Sequence, residues 1–244
     1  MSRGRTRLSE TTFDPTLMQD RYIRDLFSDP EMLRMGHFQR QEDLNLGLGW
    51  IYYALGRVIR PARAVVIGSY RGFVPSVLAK SLMDNAEGGE VSFIDPSYVD
   101  DFWADAKQVE THFRKLGTPN VRHFRHTTQD FMATPAYAEL SDIGLLMIDG
   151  HHTAEQARLD YLAFLGKLTD NAIVLFHDSV RQKISPIYGK DNPYTHTVCM
   201  FMDRLKGTPG LEVFTLPYAD GLTLVQGRPE TLEVINQPFD LSPP

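Results

Sequence analysis

Residues 143–178 read IGLLMIDGHHTAEQARLDYLAFLGKLTDNAIVLFHD. Two apolar runs, Ile143 to Ile148 and Ala172 to Phe176, each lead into acidic and histidine residues: Asp149, His151 and His152 after the first, His177 and Asp178 after the second. Uninterrupted apolar runs of this length suit strands buried on both faces. Between them Ala154, Ala157, Tyr161, Leu165 and Leu168 fall on one helical stripe, and Thr153 with Gln156 fits a capping box at its start. A strand, a helix and a second strand imply a right-handed parallel crossover. Asp149, His152, His177 and Asp178 then converge at one sheet edge, where open α/β folds hold their ligands.

The same alternation extends in both directions. Upstream, short strands are expected at Ala64–Ile67, Val91–Ile94 and Val121–Phe124, with helices at Phe73–Met83 and around Phe102–Leu116. Leu44, Leu48, Ile51, Leu55 and Val58 step by four and three, one face of a helix that Pro61 ends. Downstream, Val198, Phe201, Met202 and Leu205 mark a last helix. Leu211–Leu216 and Leu222–Val225 are two strands joined through Pro217–Gly221 as a hairpin. The expected fold is α/β, a doubly wound, mostly parallel seven-stranded sheet with a C-terminal antiparallel hairpin. Residues 1–39 read as an N-terminal arm and helical segment, its first 16 residues flexible; residues 40–227 form the main domain and 228–244 a tail.

Composition narrows the function. The 244 residues are 42% hydrophobic and 23% charged, ordinary for a globular protein large enough to bury a full core. The net charge of −6 and the scattered basic residues argue against a nucleic-acid surface. Cys199 is the single cysteine, so neither an intrachain disulfide nor a thiolate zinc cluster can form within one chain. The N-terminus lacks the apolar core of a signal peptide, and no run of about 18 apolar residues occurs. A cytoplasmic protein without membrane or nucleic-acid partners is expected.

Strand one runs into Gly68-Ser69-Tyr70-Arg71-Gly72, whose glycines permit a tight turn and close approach of a ligand to the backbone. A purely structural strand-to-helix turn fits the motif equally well, since it is neither the full dinucleotide fingerprint nor a phosphate loop. Asp95, closing strand two, could accept hydrogen bonds from the ribose hydroxyls of a nucleoside or simply cap a turn. The two features in series favour the nucleoside. Asp149 and Asp178 would offer oxygen ligands to Mg²⁺ or another divalent cation, or cap neighbouring turns. His152 is a candidate general base, or a histidine that only supports the site. His151 and His177 share that ambiguity, because side chains alternate along a strand. Cys199 and the group Trp50, Tyr52 and Tyr53 read as helix packing.

These motifs together resemble the class I S-adenosylmethionine-dependent methyltransferases, and within them the small-molecule O-methyltransferase branch with IDG-x-H and HD motifs. Val65–Gly72 (VVIGSYRG) is similar to that family's first cofactor motif and Phe93–Pro96 (FIDP) to its second. Pro217–Gln226 (PYADGLTLVQ) is similar to its closing hairpin, and the likeness covers about residues 40–227. The resemblance implies a Rossmann-like sheet. It implies Gly68, Ser69, Tyr70 and Gly72 beside the methionine and sulfonium, Asp95 on the ribose, and Thr128, Gln129 and Asp130 near the adenine. It also implies Asp149 beside the cofactor and, with Asp178, on a metal, and His152 as proton acceptor. Val66 stands where many members carry an acid, Ser179 where catechol-type members carry an amide ligand, and Asp170-Asn171-Ala172 where a Gly-Gly pair is usual.

The activity so implied is methyl transfer from S-adenosylmethionine to a hydroxyl oxygen of a small molecule, with room for a divalent cation. The rival readings are an NAD-type oxidoreductase and a non-catalytic module that binds an adenosyl ligand. The N-terminal segment and the stretch from Arg181 to Thr197 are expected to cover the acceptor. Lys190–His196 hints at a polar one, and a helical arm at the N-terminus is compatible with a homodimer.

Overall fold

The computed structural model describes residues 18–34 and 36–239. The flexible arm expected over the first 16 residues lies outside the described residues. The chain opens with helix α1 (Asp20–Leu26) and a 3-10 turn at Pro30–Arg34. Helix α2 (Gly49–Ile59), strand β1 (Arg63–Ile67), α3 (Phe73–Asp84), β2 (Glu90–Ile94), α4 (Ala106–Lys115) and β3 (Val121–Phe124) follow. Next come α5 (Thr128–Met132), α6 (Pro135–Glu139), β4 (Ile143–Ile148), α7 (Ala154–Leu165) and β5 (Leu168–His177). A small hairpin of β6 (Lys183–Ser185) and β7 (Tyr194–His196) precedes α8 (Val198–Lys206), β8 (Leu211–Leu216), β9 (Leu222–Gly227) and α9 (Glu233–Asn236).

Seven strands form one sheet in the order β3-β2-β1-β4-β5-β9-β8. The first five are parallel, and β9 runs antiparallel to both β5 and β8, which is the closing hairpin expected from sequence. The order reverses between β1 and β4, which opens a crevice at the strand ends there. Strand alternation sends successive side chains to opposite faces. Ala64, Val66, Phe93, Leu145 and Met147 join the core beneath α2 and α3. Val65, Ile67, Ile94, Leu146 and Ile148 join the core beneath α7 and α8. Every residue of β4 is buried, as its unbroken apolar sequence demands.

Four features differ from the sequence reading. Leu44 adopts φ +53 in a turn closed by the Arg40–Asn45 bridge, so α2 begins only at Gly49. Helix α7 ends at Leu165, and Leu168 opens β5 instead of continuing the helical stripe. The stretch from Arg181 to Thr197 contains the β6–β7 pair, in which Lys183 faces His196 across the strands. The described N-terminal residues are not an exposed arm: Tyr22, Ile23, Leu26, Phe27 and Met32 are buried in the same core as α2 and α3. Among the described residues no helix is long and apolar enough to cross a membrane.

Candidate active site

A single cavity of about 1050 Å³ follows the crevice at the C-terminal ends of β1, β2, β4 and β5. It lies at the upper end of the usual size for small-molecule sites. One half is built from backbone. Gly68 leaves β1 at φ +71, and a Cβ there would come within 2.3 Å of the Gly150 Cα, so only glycine fits. Its N–H donates to the Ile94 carbonyl at 2.9 Å, and the Asp149 N–H donates to the Ile67 carbonyl at 2.8 Å, which locks three strand ends together. The Ser69 N–H donates to Asp95 Oδ2 at 3.2 Å and the Ser97 N–H to Oδ1 at 2.7 Å. Each carboxylate oxygen keeps acceptor capacity for a ligand hydroxyl. Burial pushes the Asp95 carboxyl up to about 6 against those hydrogen bonds.

Tyr70, Thr128 and Gln129 also line the cavity. The Gln129 amide donates to Gln156 Oε1 at 3.1 Å, and the Thr128 hydroxyl donates to Asp160 Oδ1 at 2.6 Å. Asp160 receives a second bond from Gln156 at 2.8 Å, and burial raises its carboxyl to about 6. Gly72 is different: it caps α3 at φ +83 beneath Phe113 and Trp103 and does not line the cavity. The resemblance put it beside a ligand; its task here is the turn that lets an aromatic cluster close over the helix start. Asp130 also stands outside the lining, bonded to Thr127 at the start of α5.

The other half is an interlocked set of carboxylates and imidazoles. His177 Nδ1 lies 2.9 Å from Asp149 Oδ1 and 3.5 Å from Asp178 Oδ1. Both His177 and Asp178 reach the same cluster because Asp178 turns out of the strand at φ +54, which breaks the alternation. His37 Nε2 is 3.4 Å from Asp149 Oδ2, and its Nδ1 is 3.1 Å from the Tyr52 hydroxyl. On Asp178, Lys183 Nζ approaches Oδ1 at 2.9 Å, while His196 Nδ1 (2.8 Å) and His152 Nε2 (3.7 Å) approach Oδ2. Lys183 also reaches Asp220 at 2.6 Å. Two sets of donors are close enough to share a metal ion, His37–Asp149–His177 and His152–Asp178–His196, each with one carboxylate. His151 stays apart, stacked on Tyr194 at 4.6 Å.

Electrostatics follow from this packing. Burial alone would raise Asp149, but His177 and His37 outweigh it and hold the carboxyl well below its usual range. Asp178 behaves likewise under His196, His152, His177 and Lys183. Burial also disfavours a charged His177, yet Asp149 and Asp178 win and raise it above its ordinary value. For His152 burial dominates and lowers it to about 4, so its imidazole is neutral at pH 7. No sequence motif marks His37, Asp160, Lys183 or His196; tertiary folding alone brings them in.

Known proteins give the arrangement a context. Residues 65–179 match the family model described as a methyltransferase domain. That match spans both the Gly68 turn and the Asp178 strand end. No curated protein matches at the sequence level. Among solved structures, an O-methyltransferase from Bacillus cereus in complex with SAH is similar, with a TM-score of 0.62, 12% identity and coverage of 88% of this chain and 94% of that one. The SAH-bound methyltransferase PaMTH1 of Podospora anserina has a TM-score of 0.57 and 16% identity over 84% of this chain and 88% of its own. The O-methyltransferase TomG of Streptomyces achromogenes, in complex with SAM and involved in tomaymycin synthesis, has a TM-score of 0.55 and 16% identity over 87% and 99%. The fold is thus Rossmann-like, shared with these methyltransferase structures.

Proposed function

We propose that this chain transfers a methyl group from S-adenosylmethionine to a hydroxyl oxygen of a small molecule. One observation carries the reading: a single cavity joins a backbone cradle with a ribose-type carboxylate, at Gly68 and Asp95, to a buried histidine–aspartate cluster at the ends of β4 and β5. The residues fit the cofactor. Gly68 admits a ligand against the backbone, Asp95 is poised for the ribose hydroxyls, and Thr128 and Gln129 flank the place of the base. When bound, the cofactor supplies an electrophilic methyl group.

The protein then contributes alignment and proton management. Holding acceptor and cofactor in line contributes several kcal/mol, up to about 7–11 in the best-aligned cases. The acceptor hydroxyl must lose its proton, and His152 lines the cavity with a neutral imidazole whose lone pair can take it. Asp178 and Asp149 stabilise the imidazolium that results. Tyr188, Tyr194 and His151 on the Arg181–Thr197 side wall the acceptor end. Asp149 and Asp178 each belong to a separate donor set that could hold a divalent cation at this end, which would acidify the acceptor hydroxyl.

Calorimetric titration with S-adenosylhomocysteine tests the cofactor, and a panel of hydroxyl compounds with S-adenosylmethionine tests the transfer. Binding of NADH without binding of S-adenosylhomocysteine would overturn the proposal in favour of an oxidoreductase. Cofactor binding with no transfer across the panel, with and without divalent ions, would favour a non-catalytic binding module. That second reading has one observation behind it: Val66 is wholly buried in the core and offers the cofactor's amino group no carboxylate.

A further inference from the structure

We propose that His152, Asp178 and His196 form a two-histidine, one-carboxylate site for a nitrogen-preferring divalent ion of the zinc, iron, cobalt and nickel class, and not for magnesium. The donor atoms of the three residues lie within 4.8 Å of one another, the spacing that ligands of one ion require. The site is built rather than incidental. His196 ends β7, and the next residue clamps its segment to that of His152: the Thr197 N–H donates to the His152 carbonyl at 2.8 Å, and the Ala154 N–H donates to the Thr197 hydroxyl at 2.9 Å. The same hairpin places Lys183 opposite His196, and Lys183 occupies Asp178 Oδ1, leaving Oδ2 to the two imidazoles.

His196 carries the inference. Its side chain is 4% exposed; among the described residues its Nδ1 has Asp178 as its one partner, and its Nε2 makes no hydrogen bond. Nδ1 sits 2.8 Å from Asp178 Oδ2. A buried imidazole nitrogen without a hydrogen bond is costly. All three residues line the cavity, so further coordination positions open toward the acceptor. The neighbouring set is less open: His37 does not line the cavity, both Asp149 oxygens face His177 and His37, and Tyr52 takes the far nitrogen of His37. Magnesium demands octahedral oxygen coordination, whereas imidazole ligands suit zinc, iron and nickel. With the ion bound His152 is a ligand, and proton acceptance by its imidazole belongs to the ion-free protein. The proposal relies on the methyl-transfer reading only for the use of the ion, not for its binding.

The test is titration of chelator-treated full-length protein with Co²⁺, read from its visible absorption, and with Zn²⁺ by calorimetry, alongside S-adenosylhomocysteine calorimetry on every variant. One equivalent of Co²⁺ or Zn²⁺ should bind, millimolar Mg²⁺ should not displace it, and H196A, H196Q and H152A should each weaken it at least ~10-fold. Retained S-adenosylhomocysteine affinity shows that a variant is folded. A protein that binds S-adenosylhomocysteine but neither ion, competition by Mg²⁺ on equal terms, or unchanged metal affinity in folded H196A and H196Q would overturn the site. Cobalt binding without S-adenosylhomocysteine binding would support this site while removing the methyl-transfer proposal.

Discussion

The two halves of the cavity are made in different ways. The Gly68–Asp95 half is short-range architecture: two strand ends, one glycine and backbone N–H groups bonded to one carboxylate. The Asp149–Asp178 half is assembled from six side chains, His37, Asp149, His152, His177, Asp178 and His196, spread over most of the chain. In the first half the Asp95 carboxylate is bonded through both oxygens to backbone N–H groups. The second concentrates buried charge and leaves nitrogens of His37, His177 and His196 without hydrogen bonds. A binding half tolerates little change of backbone, and a chemical half tolerates little change of charge. The difference is testable by substitution.

The largest expected effect falls on backbone. Gly68→Ala forces a Cβ into Gly150 at positive φ and should cost about 2–5 kcal/mol. Thermal unfolding should show a large drop in melting temperature, and calorimetry a loss of S-adenosylhomocysteine binding. A near-normal variant would break the account of the cradle. Asp149→Asn strikes the other half. It removes the charge that His177 and His37 share, and loss of one partner of a buried pair costs about 3 kcal/mol. Methyl transfer should fall at least ~100-fold while cofactor affinity stays within a few-fold. Equal damage to both would merge the two halves into one unit.

Asp95→Asn should weaken S-adenosylhomocysteine binding by about 1.5–3 kcal/mol, the worth of hydrogen bonds to a charged group. Because burial places the Asp95 carboxyl at about 6, cofactor affinity of the unaltered protein should also fall as pH drops below 6. The asparagine variant should lack that dependence in calorimetry between pH 5 and 8. The smallest effect concerns Asp160. Its carboxyl is raised from 3.8 to about 6 on folding, so its stabilising contribution is complete below about pH 4 and is lost as pH rises through about 6. Asp160→Asn should therefore match the parent near pH 4 and exceed it by about 2 kcal/mol at pH 7, measured by urea unfolding. A gap that does not widen with pH would sink this reading.

Local pattern carried much of the architecture. The strand at Val121–Phe124 matches its expected limits, and β1, β2 and β4 lie within one residue of theirs, because each is a short apolar run between turn residues. The capping box is half present: Gln156 N–H donates to Thr153, but the Gln156 side chain turns to Asp160 instead of back to the cap. Asp149, His152 and Asp178 stand out in the sequence because they follow buried strands. His37 does not, since it lies in a segment with no periodicity and reaches the site only because α1 and the following turn pack onto the core. His196 was visible only as part of a polar insert, as the hairpin that aims it has strands of three residues each, too short to leave a period-two signal.

By itself the sequence determined the order of strands and helices, the parallel sheet, the glycine turn and the three acids Asp95, Asp149 and Asp178 at strand ends. Those follow from side-chain periodicity and backbone sterics, which act over a few residues. Only the tertiary structure decided which nitrogens meet those acids. It turned Asp178 out of its strand so that His177 shares the cluster, set Gly72 under aromatics outside the cavity, and brought His37, Lys183 and His196 together. Such contacts depend on how separate elements pack, and no short stretch of chain encodes them.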